Sequence, residues 1–451
     1  METALVLFNR DLRVHDNPAL SAAARAARVV PLFVLDRTLL ASRFAAPNRL
    51  AFMVDSLRDL DGALKARGGR LFVREGDPVR EAVSLAREAG AGAIHVSADW
   101  SAYARRREEG LAAACSIAGI GFRRHPGVTI VEPGELTPAD GDHFRVFSPY
   151  HRVWTAAELR AKLGAPRRLT APRGPAAGRI PPLSSLAGGE PSPDLPPGGE
   201  TEGRRRLRRF LRHGLGGYAE RADDLAGEGT SRLSPYLRWG CVSPLEALRE
   251  ARSAGGDSFA RQLCWRDFHH QVLAAYPRLP RRDYRHGGDR WSRSQRALEA
   301  WRAGRTGYPI VDAGMRQLAR EGWMHNRARL IVASFLTKDL HLDWREGARH
   351  FWDLLVDGDI ANNAGNWQWV AGTGNDTRPN RVFNPLRQAK RFDPDGDYVR
   401  RYVPELAGID GAIVHEPWRI GPLERGSIDY PEPIVDHAEA AAEHHARRMA
   451  G

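Results

Sequence analysis

Ala4-Leu-Val-Leu-Phe8, Val29-Val-Pro-Leu-Phe-Val-Leu35, Arg70-Leu-Phe-Val73 and Ala93-Ile-His-Val96 are four short apolar runs within the first hundred residues. Each has the length and residue types of a buried strand. Between them, residues 18–27, 48–67 and 78–89 carry apolar side chains at helical spacing. Strand, helix, strand, helix predicts an α/β N-terminal domain of Rossmann-like type, its parallel sheet covered on both faces. No GxGxxG follows the first run, so the usual dinucleotide fingerprint is absent.

Working outward, residues 164–203 are crowded with Pro and Gly, as in Ala171-Pro-Arg-Gly-Pro175 and Pro191-Ser-Pro-Asp-Leu-Pro-Pro-Gly-Gly199. Such a stretch holds no long regular element and predicts a connector laid over the first domain. Beyond it helical periods dominate, for example over residues 324–340. The expected organisation is an α/β domain over 1–130, a connector over 131–203 and an all-α domain over 204–451. A chain of 451 residues is too long for one ordinary core, which agrees with two domains.

Lys and Arg number 67 against 55 Asp and Glu, a net charge of +12. A basic surface suits a polyanion such as nucleic acid or anionic lipid, and an Arg-rich genome gives the same count for no functional reason. Cys115, Cys241 and Cys264 form no CxxC pair, which predicts free buried thiols and neither a metal centre nor a disulfide framework. The N-terminus is charged and no apolar run approaches a membrane span, so a soluble cytoplasmic protein is expected.

Two segments carry chemistry. Thr230-Ser-Arg-Leu-Ser234 follows a Gly-containing loop and leads into a helix, where hydroxyls and free N–H groups can hold a phosphate or merely cap the helix. Asp357-Gly-Asp359, with Asn362-Asn363 and Trp367-Gln-Trp369, places two carboxylates, two amides and two indoles in a short segment. These groups can address ribose and ring edges by paired hydrogen bonds, and indoles can stack on bases or pass electrons. Nine of the twelve tryptophans fall between Trp239 and Trp369, several beside Asp, Arg, His or Asn, although core packing alone also collects Trp.

Leu7-Phe-Asn-Arg-Asp-Leu-Arg-Val-His-Asp-Asn17, Thr230–Ser234, Trp323-Met-His-Asn-Arg327, Asp343-Trp-Arg-Glu-Gly347 and Asp357 through Trp369 together resemble the DNA photolyase/cryptochrome family. The likeness runs in order from residue 5 to about residue 437 and is greatest to the class I cyclobutane-pyrimidine-dimer photolyases. It implies an antenna domain, a helical FAD domain, and light-driven repair of UV-damaged DNA by electron transfer from reduced FAD. It assigns Tyr218, Thr230, Ser231, Arg232, Leu233 and Ser234 to the FAD pyrophosphate. It sets Asp357 and Asp359 toward the ribityl and flavin side, with Arg329 as counter-charge and Arg266 and Asn326 nearby, and it points Asn363 at flavin N5. Trp367, Trp344 and Trp291 match an electron-hopping chain to the surface. Trp265 and Trp369 would stack on a flipped-out dimer, with Gln262, Asn326 and Leu330 in the pocket and Arg266, Arg327 and Gln388 on the DNA strand.

The sequence departs from that pattern at Gln262, where dimer photolyases usually carry Glu, and at Leu330, where Met is common. Gln there is typical of (6-4) photolyases and animal cryptochromes. Asn326 and the absence of a His-His pair at 325–326 fit the cyclobutane branch instead. Ala222 replaces a family Arg near the phosphate loop, with Arg221 adjacent. For the antenna, Tyr103-Ala104 stands where folate-binding members carry Asn-Glu. Asp99-Trp-Ser-Ala-Tyr-Ala-Arg105 and Pro47-Asn-Arg49 resemble members that bind 8-hydroxy-5-deazaflavin, which makes Asp99 and Arg49 the expected contacts over the Leu35–Arg37 backbone. A short C-terminal helix with no long extension favours repair over signalling, and a monomer is expected.

Overall fold

The four apolar runs form strands, and a fifth joins them. In the computed structural model, which describes residues 2–285, 289–421 and 428–449, β1 is Thr3–Phe8, β2 Arg28–Asp36, β3 Phe72–Gly76, β4 Ala93–Ser97 and β5 Gly121–His125. The sheet order is β3-β2-β1-β4-β5, and every pairing is parallel, with Leu5 opposite both Val30 and Ile94. β1 lies at the centre and is buried along its whole length. β5 was not foreseen because Gly121-Phe-Arg-Arg-His125 is a half-exposed edge strand with two arginines and no apolar run.

Helices Pro18–Ala23, Pro47–Lys65, Pro78–Glu88 and Ala102–Ala118 cover the sheet. Each of the first three opens on Pro at its first turn, where a missing N–H costs nothing. The first is shorter than the expected 18–27, because β2 begins at Arg28 and residues 24–27 are spent on the turn. The connector does lie on the first domain: Val29 N–H bonds the Thr170 carbonyl, Leu169 N–H bonds Arg67, and Val73 N–H bonds Ala177. It also contains a helix, Phe147–Ala156, that the composition did not announce. The helical half opens at Glu200.

Of the later helices, Asp257–Ala275, Asn326–Ser334, Trp344–Leu354 and Ile360–Ala371 matter most for the site. The stretch expected as one helix over 324–340 is an α-helix followed by a π turn, Phe335–Asp339. One core is continuous across the two halves, joining Val6, Leu50 and Leu57 to Tyr236, Trp239 and Phe268. A second, inside the helical half, packs Trp301, Trp344 and Trp367. The three cysteines are free and buried. Among the described residues no helix is long and apolar enough to cross a membrane.

Arg49 is the chief fastener between the halves. Its side chain is fully buried. Its guanidinium donates to the carbonyls of Phe44 at 3.0 Å, Arg43 at 2.5 Å and Leu355 at 3.1 Å, and also to that of Trp352, whose ring it lies over. Arg49→Met is expected to lower unfolding stability by about 2–4 kcal/mol, since the buried carbonyls lose their donors together. Urea denaturation of both variants checks this, with an unchanged midpoint counting against it.

Candidate active site

Asp357 and Asp359 end the turn that leads into helix Ile360–Ala371. Asp359 is the helix N-cap: its Oδ1 accepts the Asn362 backbone N–H at 2.9 Å and the Asn362 side-chain amide at 2.8 Å. The next turns of this helix then carry Asn363, Trp367 and Trp369 toward three different neighbours. A cavity opens here, walled by Asn326, Arg329, Leu330, Asp357, Asp359, Asn363 and Trp367. Seven residues expected from two separate stretches, 326–330 and 357–367, therefore share one wall.

The charges in this cavity are paired. Arg329 forks onto Asp357, with contacts of 2.8 and 3.2 Å, the counter-charge expected for it. Asp359 is held by Arg10, which comes from the loop after β1, and its Oδ2 lies 3.5 Å from His270 Nε2. Burial alone would push the Asp359 carboxyl up; Arg10, His270 and Arg266 outweigh that and hold it well below the usual carboxylate range. The Asn363 amide donates through Nδ2 to the Ala348 carbonyl at 3.0 Å. That bond uses one of the two amide hydrogens, so Oδ1 as acceptor and the second N–H as donor are both left for a ligand.

Trp367 is 2% exposed and Trp344 is fully buried, while Trp291 is half-buried in the wall of a surface pocket with Arg302, Glu346 and His350. Trp344 donates to Asp283 at 2.8 Å. Trp301, which no motif singled out, lies edge-on to Trp367 with ring centres 6.1 Å apart.

Trp265 and Trp369 are both half-buried. One face of Trp265 is covered by Phe147, stacked at 3.6 Å, and Arg381 lies over Trp369 at 4.8 Å. Gln262 is exposed on helix Asp257–Ala275, one turn before Arg266. Gln388 is half-buried on helix Pro385–Phe392. Arg327 is half-buried, paired with Asp223 and laid over the Phe392 ring.

Other expected residues sit elsewhere. Tyr218 begins a four-residue helix and packs edge-on against Phe210 and Phe259. Thr230 to Leu233 lead into a helix, Ser234–Arg238, of only five residues. There the Ser231 hydroxyl accepts the Leu233 N–H at 3.3 Å, the Ser234 hydroxyl accepts from Trp323 at 3.0 Å, and Arg232 pairs with Glu321 at 2.9 Å. None of these lines the cavity around Asp357.

Two assignments need correcting. Arg266 is 9% exposed and donates to the Val128 carbonyl at 2.6 Å, so it faces the domain seam and cannot reach a DNA strand. Arg49 does not line the groove expected for an antenna, because its donors are spent on the carbonyls described above. Asp99 does line that groove. The groove lies between the C-terminal edge of the sheet and the helical half, with Phe33, Leu39, Phe44, Trp239 and Trp352 as its apolar walls. Arg107 and Arg238, both at least nine-tenths buried, also line it, and Arg107 Nε and Nη2 and Arg238 Nη1 make no hydrogen bond. Sequence reasoning missed Arg10, Arg107 and Arg238, although Arg10 stood in a quoted motif. A buried arginine leaves no periodic mark.

The comparisons fit this architecture. Residues 4–171 match the DNA photolyase family and residues 259–450 match the FAD binding domain of DNA photolyase. The deoxyribodipyrimidine photo-lyase of Streptomyces griseus is 52% identical over 448 residues, 98% of each chain. A bacterial class III photolyase from Agrobacterium tumefaciens superposes with a TM-score of 0.92 at 35% identity, over 100% of this chain and 98% of that one. A Synechocystis cryptochrome gives 0.92 at 30% identity, over 98% of both chains. The chain belongs to the DNA photolyase family, with an N-terminal parallel sheet followed by a helical FAD-binding domain. Its enzyme class is that of its full-length relatives, the deoxyribodipyrimidine photo-lyases.

Gly365, on the helix that carries Trp367, packs directly on the His269 ring, which a Cβ there would overlap. Gly365→Ala is expected to push that helix off Asp257–Ala275, at about 1–3 kcal/mol for an overpacked contact. The check is flavin absorbance relative to protein absorbance after purification, where the variant is expected to carry less FAD than the parent.

Proposed function

We propose that this enzyme splits cyclobutane pyrimidine dimers in DNA under blue or near-UV light. The observation that carries the proposal is the single cavity wall shared by Asn326, Leu330, Arg329, Asp357, Asp359, Asn363 and Trp367. FAD, when bound there in reduced form, supplies the electron that opens the dimer and receives it back. The chain supplies the rest. Arg329–Asp357 and Arg10–Asp359 give fixed, neutralised charge beside the ring system. Asn363 presents an amide that can accept through Oδ1 or donate through its second N–H, so it suits either protonation state of a neighbour. Trp265 and Trp369 offer aromatic faces to an extruded dimer, and Asn326 and Gln262, both exposed, offer amides to pyrimidine edges. The excess of 12 positive charges suits phosphate binding that weakens with salt.

Trp367, Trp344 and Trp291 relay electrons inward from the surface to an oxidised flavin. Trp367 in the cavity wall and Trp344 are buried while Trp291 reaches a surface pocket, which supports a path between surface and cavity. Trp367→Phe is expected to abolish photoreduction of oxidised FAD while leaving repair by chemically reduced enzyme intact. Absorbance changes under illumination read the first and recovery of thymine absorbance reads the second.

The interdomain groove is assigned to an 8-hydroxy-5-deazaflavin antenna. Its flat apolar walls and the unmet donors of Arg107 and Arg238 support an aromatic, electron-rich occupant. Asp99 is the acidic contact, and Leu35 and Asp36 also line the groove.

Gln262 favours a second reading, a (6-4) photolyase, and the Synechocystis cryptochrome's likeness keeps a photoreceptor as the third. If the substrate is a cyclobutane dimer, Gln262→Glu is expected to improve repair or leave it unharmed, by at most about 1–2 kcal/mol, the scale of one hydrogen bond gaining charge. Repair of both lesions by both variants under matched light decides. Loss of cyclobutane repair in the variant overturns this account of the pocket, (6-4) repair by the parent moves the enzyme to the other branch, and failure on both lesions leaves the photoreceptor.

A further inference from the structure

The guanidinium of Arg10 is the partition between two cavities. Arg10 itself lines the interdomain groove, and its partner Asp359 lines the flavin cavity. The side chain is 11% exposed. One nitrogen, Nη1, stands 3.4 Å from both oxygens of Asp99 on the groove side. Nε donates to the Arg238 carbonyl at 3.3 Å, and Nη2 donates to Asp359 Oδ2. The other oxygen of Asp359 caps helix Ile360–Ala371, which bears Asn363, Trp367 and Trp369. A residue of the sheet domain thus grips the cap of the helix that builds the other domain's pocket.

We infer that Arg10 is a positioning residue of the flavin pocket, acting through Asp359 to fix the start of helix Ile360–Ala371. The inference rests on the assignment of FAD to the cavity around Asp357 and Asp359. It adds that the sheet domain, beyond hosting the groove, sets the geometry of that cavity.

The charges facing Asp359 are few. From the sheet domain come Arg10 and, behind it, Asp99; from helix Ser234–Arg238 comes Arg238; from helix Asp257–Ala275 come Arg266, His269 and His270. Burial presses the Asp359 carboxyl toward its neutral form, and Arg10 is the largest force against it. Without Arg10 the carboxyl rises from its depressed position, with only His270 and Arg266 left to oppose burial. It then takes up a proton as the pH falls, and a protonated cap releases the helix start. In the parent the carboxyl stays ionised throughout the working range, so no such dependence exists there.

The experiment measures the FAD dissociation constant by flavin fluorescence for parent, Arg10→Met, Arg10→Lys, Asp359→Asn and the Arg10→Met/Asp359→Asn double variant, from about pH 5 to pH 8. Arg10→Met is expected to bind about tenfold more weakly than the parent at the acid end, with the ratio shrinking as pH rises. Arg10→Lys, which keeps the charge, is expected to remove the pH dependence of that ratio. Asp359→Asn and the double variant are expected to agree within about threefold, because Arg10 acts through a group already gone. A large but pH-independent loss in Arg10→Met would make Arg10 merely structural and overturn the inference, as would parental affinity. Should Arg10→Met fail to fold, the double variant against Asp359→Asn carries the test, where a further loss of about tenfold would overturn it. Parent protein without FAD affinity would instead strike down the flavin assignment beneath it.

Discussion

An arginine cannot shed its charge inside a protein, so each one buried between the sheet and the helices must find acceptors there. Arg13, fully buried, reaches from the sheet domain to the Gly240 carbonyl at 2.9 Å and the Gly127 carbonyl at 3.1 Å. Arg49 crosses to Trp352 and Leu355, and Arg266 returns from the helical half to Val128. Backbone carbonyls have no rotamers. Three forks fixed to such acceptors allow the halves to dock in one arrangement, and a small shift would strand several donors at once. The shared apolar core supplies adhesion without direction; these forks supply direction.

The pocket inherits that docking. Helix Ile360–Ala371 is placed at its start by Asp359 and along its length by the contact of Gly365 with His269. Asn363 is then turned by the Ala348 carbonyl, and Trp367 comes to rest against Trp301 and Phe351. Asn363 and Trp367, both in the cavity wall, are thus oriented by groups on neighbouring elements.

The strands β1 to β4 were legible because each is an apolar run between turn residues; β1, β2 and β4 lie within a residue of the expected bounds, while β3 ends three residues later than expected. β5 was not, since an edge strand with Arg123 and Arg124 has nothing to hide from water. The helix over 324–340 was legible in its period but not in its π turn, which depends on how Lys338 finds the Ala371 and Pro379 carbonyls in the folded chain. Within the site, Arg329, Asp357, Asp359 and Asn363 were readable because they sit in contiguous motifs. Arg49 and Arg266 took their expected roles from motif resemblance, which does not register burial, and only the fold reveals that their charge has been turned inward onto carbonyls.

The partition formed by Arg10 also bears on how such a chain can change over generations. The groove's apolar walls come from loops and helix faces of both halves, and one occupant can be exchanged for another by altering side chains such as Leu39, Tyr103 or Trp352. Those positions do not line the other cavity. Arg10 answers to both cavities, and its exchange would disturb the neighbouring pocket whatever the groove held. Drift in one chamber is therefore most constrained at the party wall, where Arg10 and Arg238 each belong to two tenants.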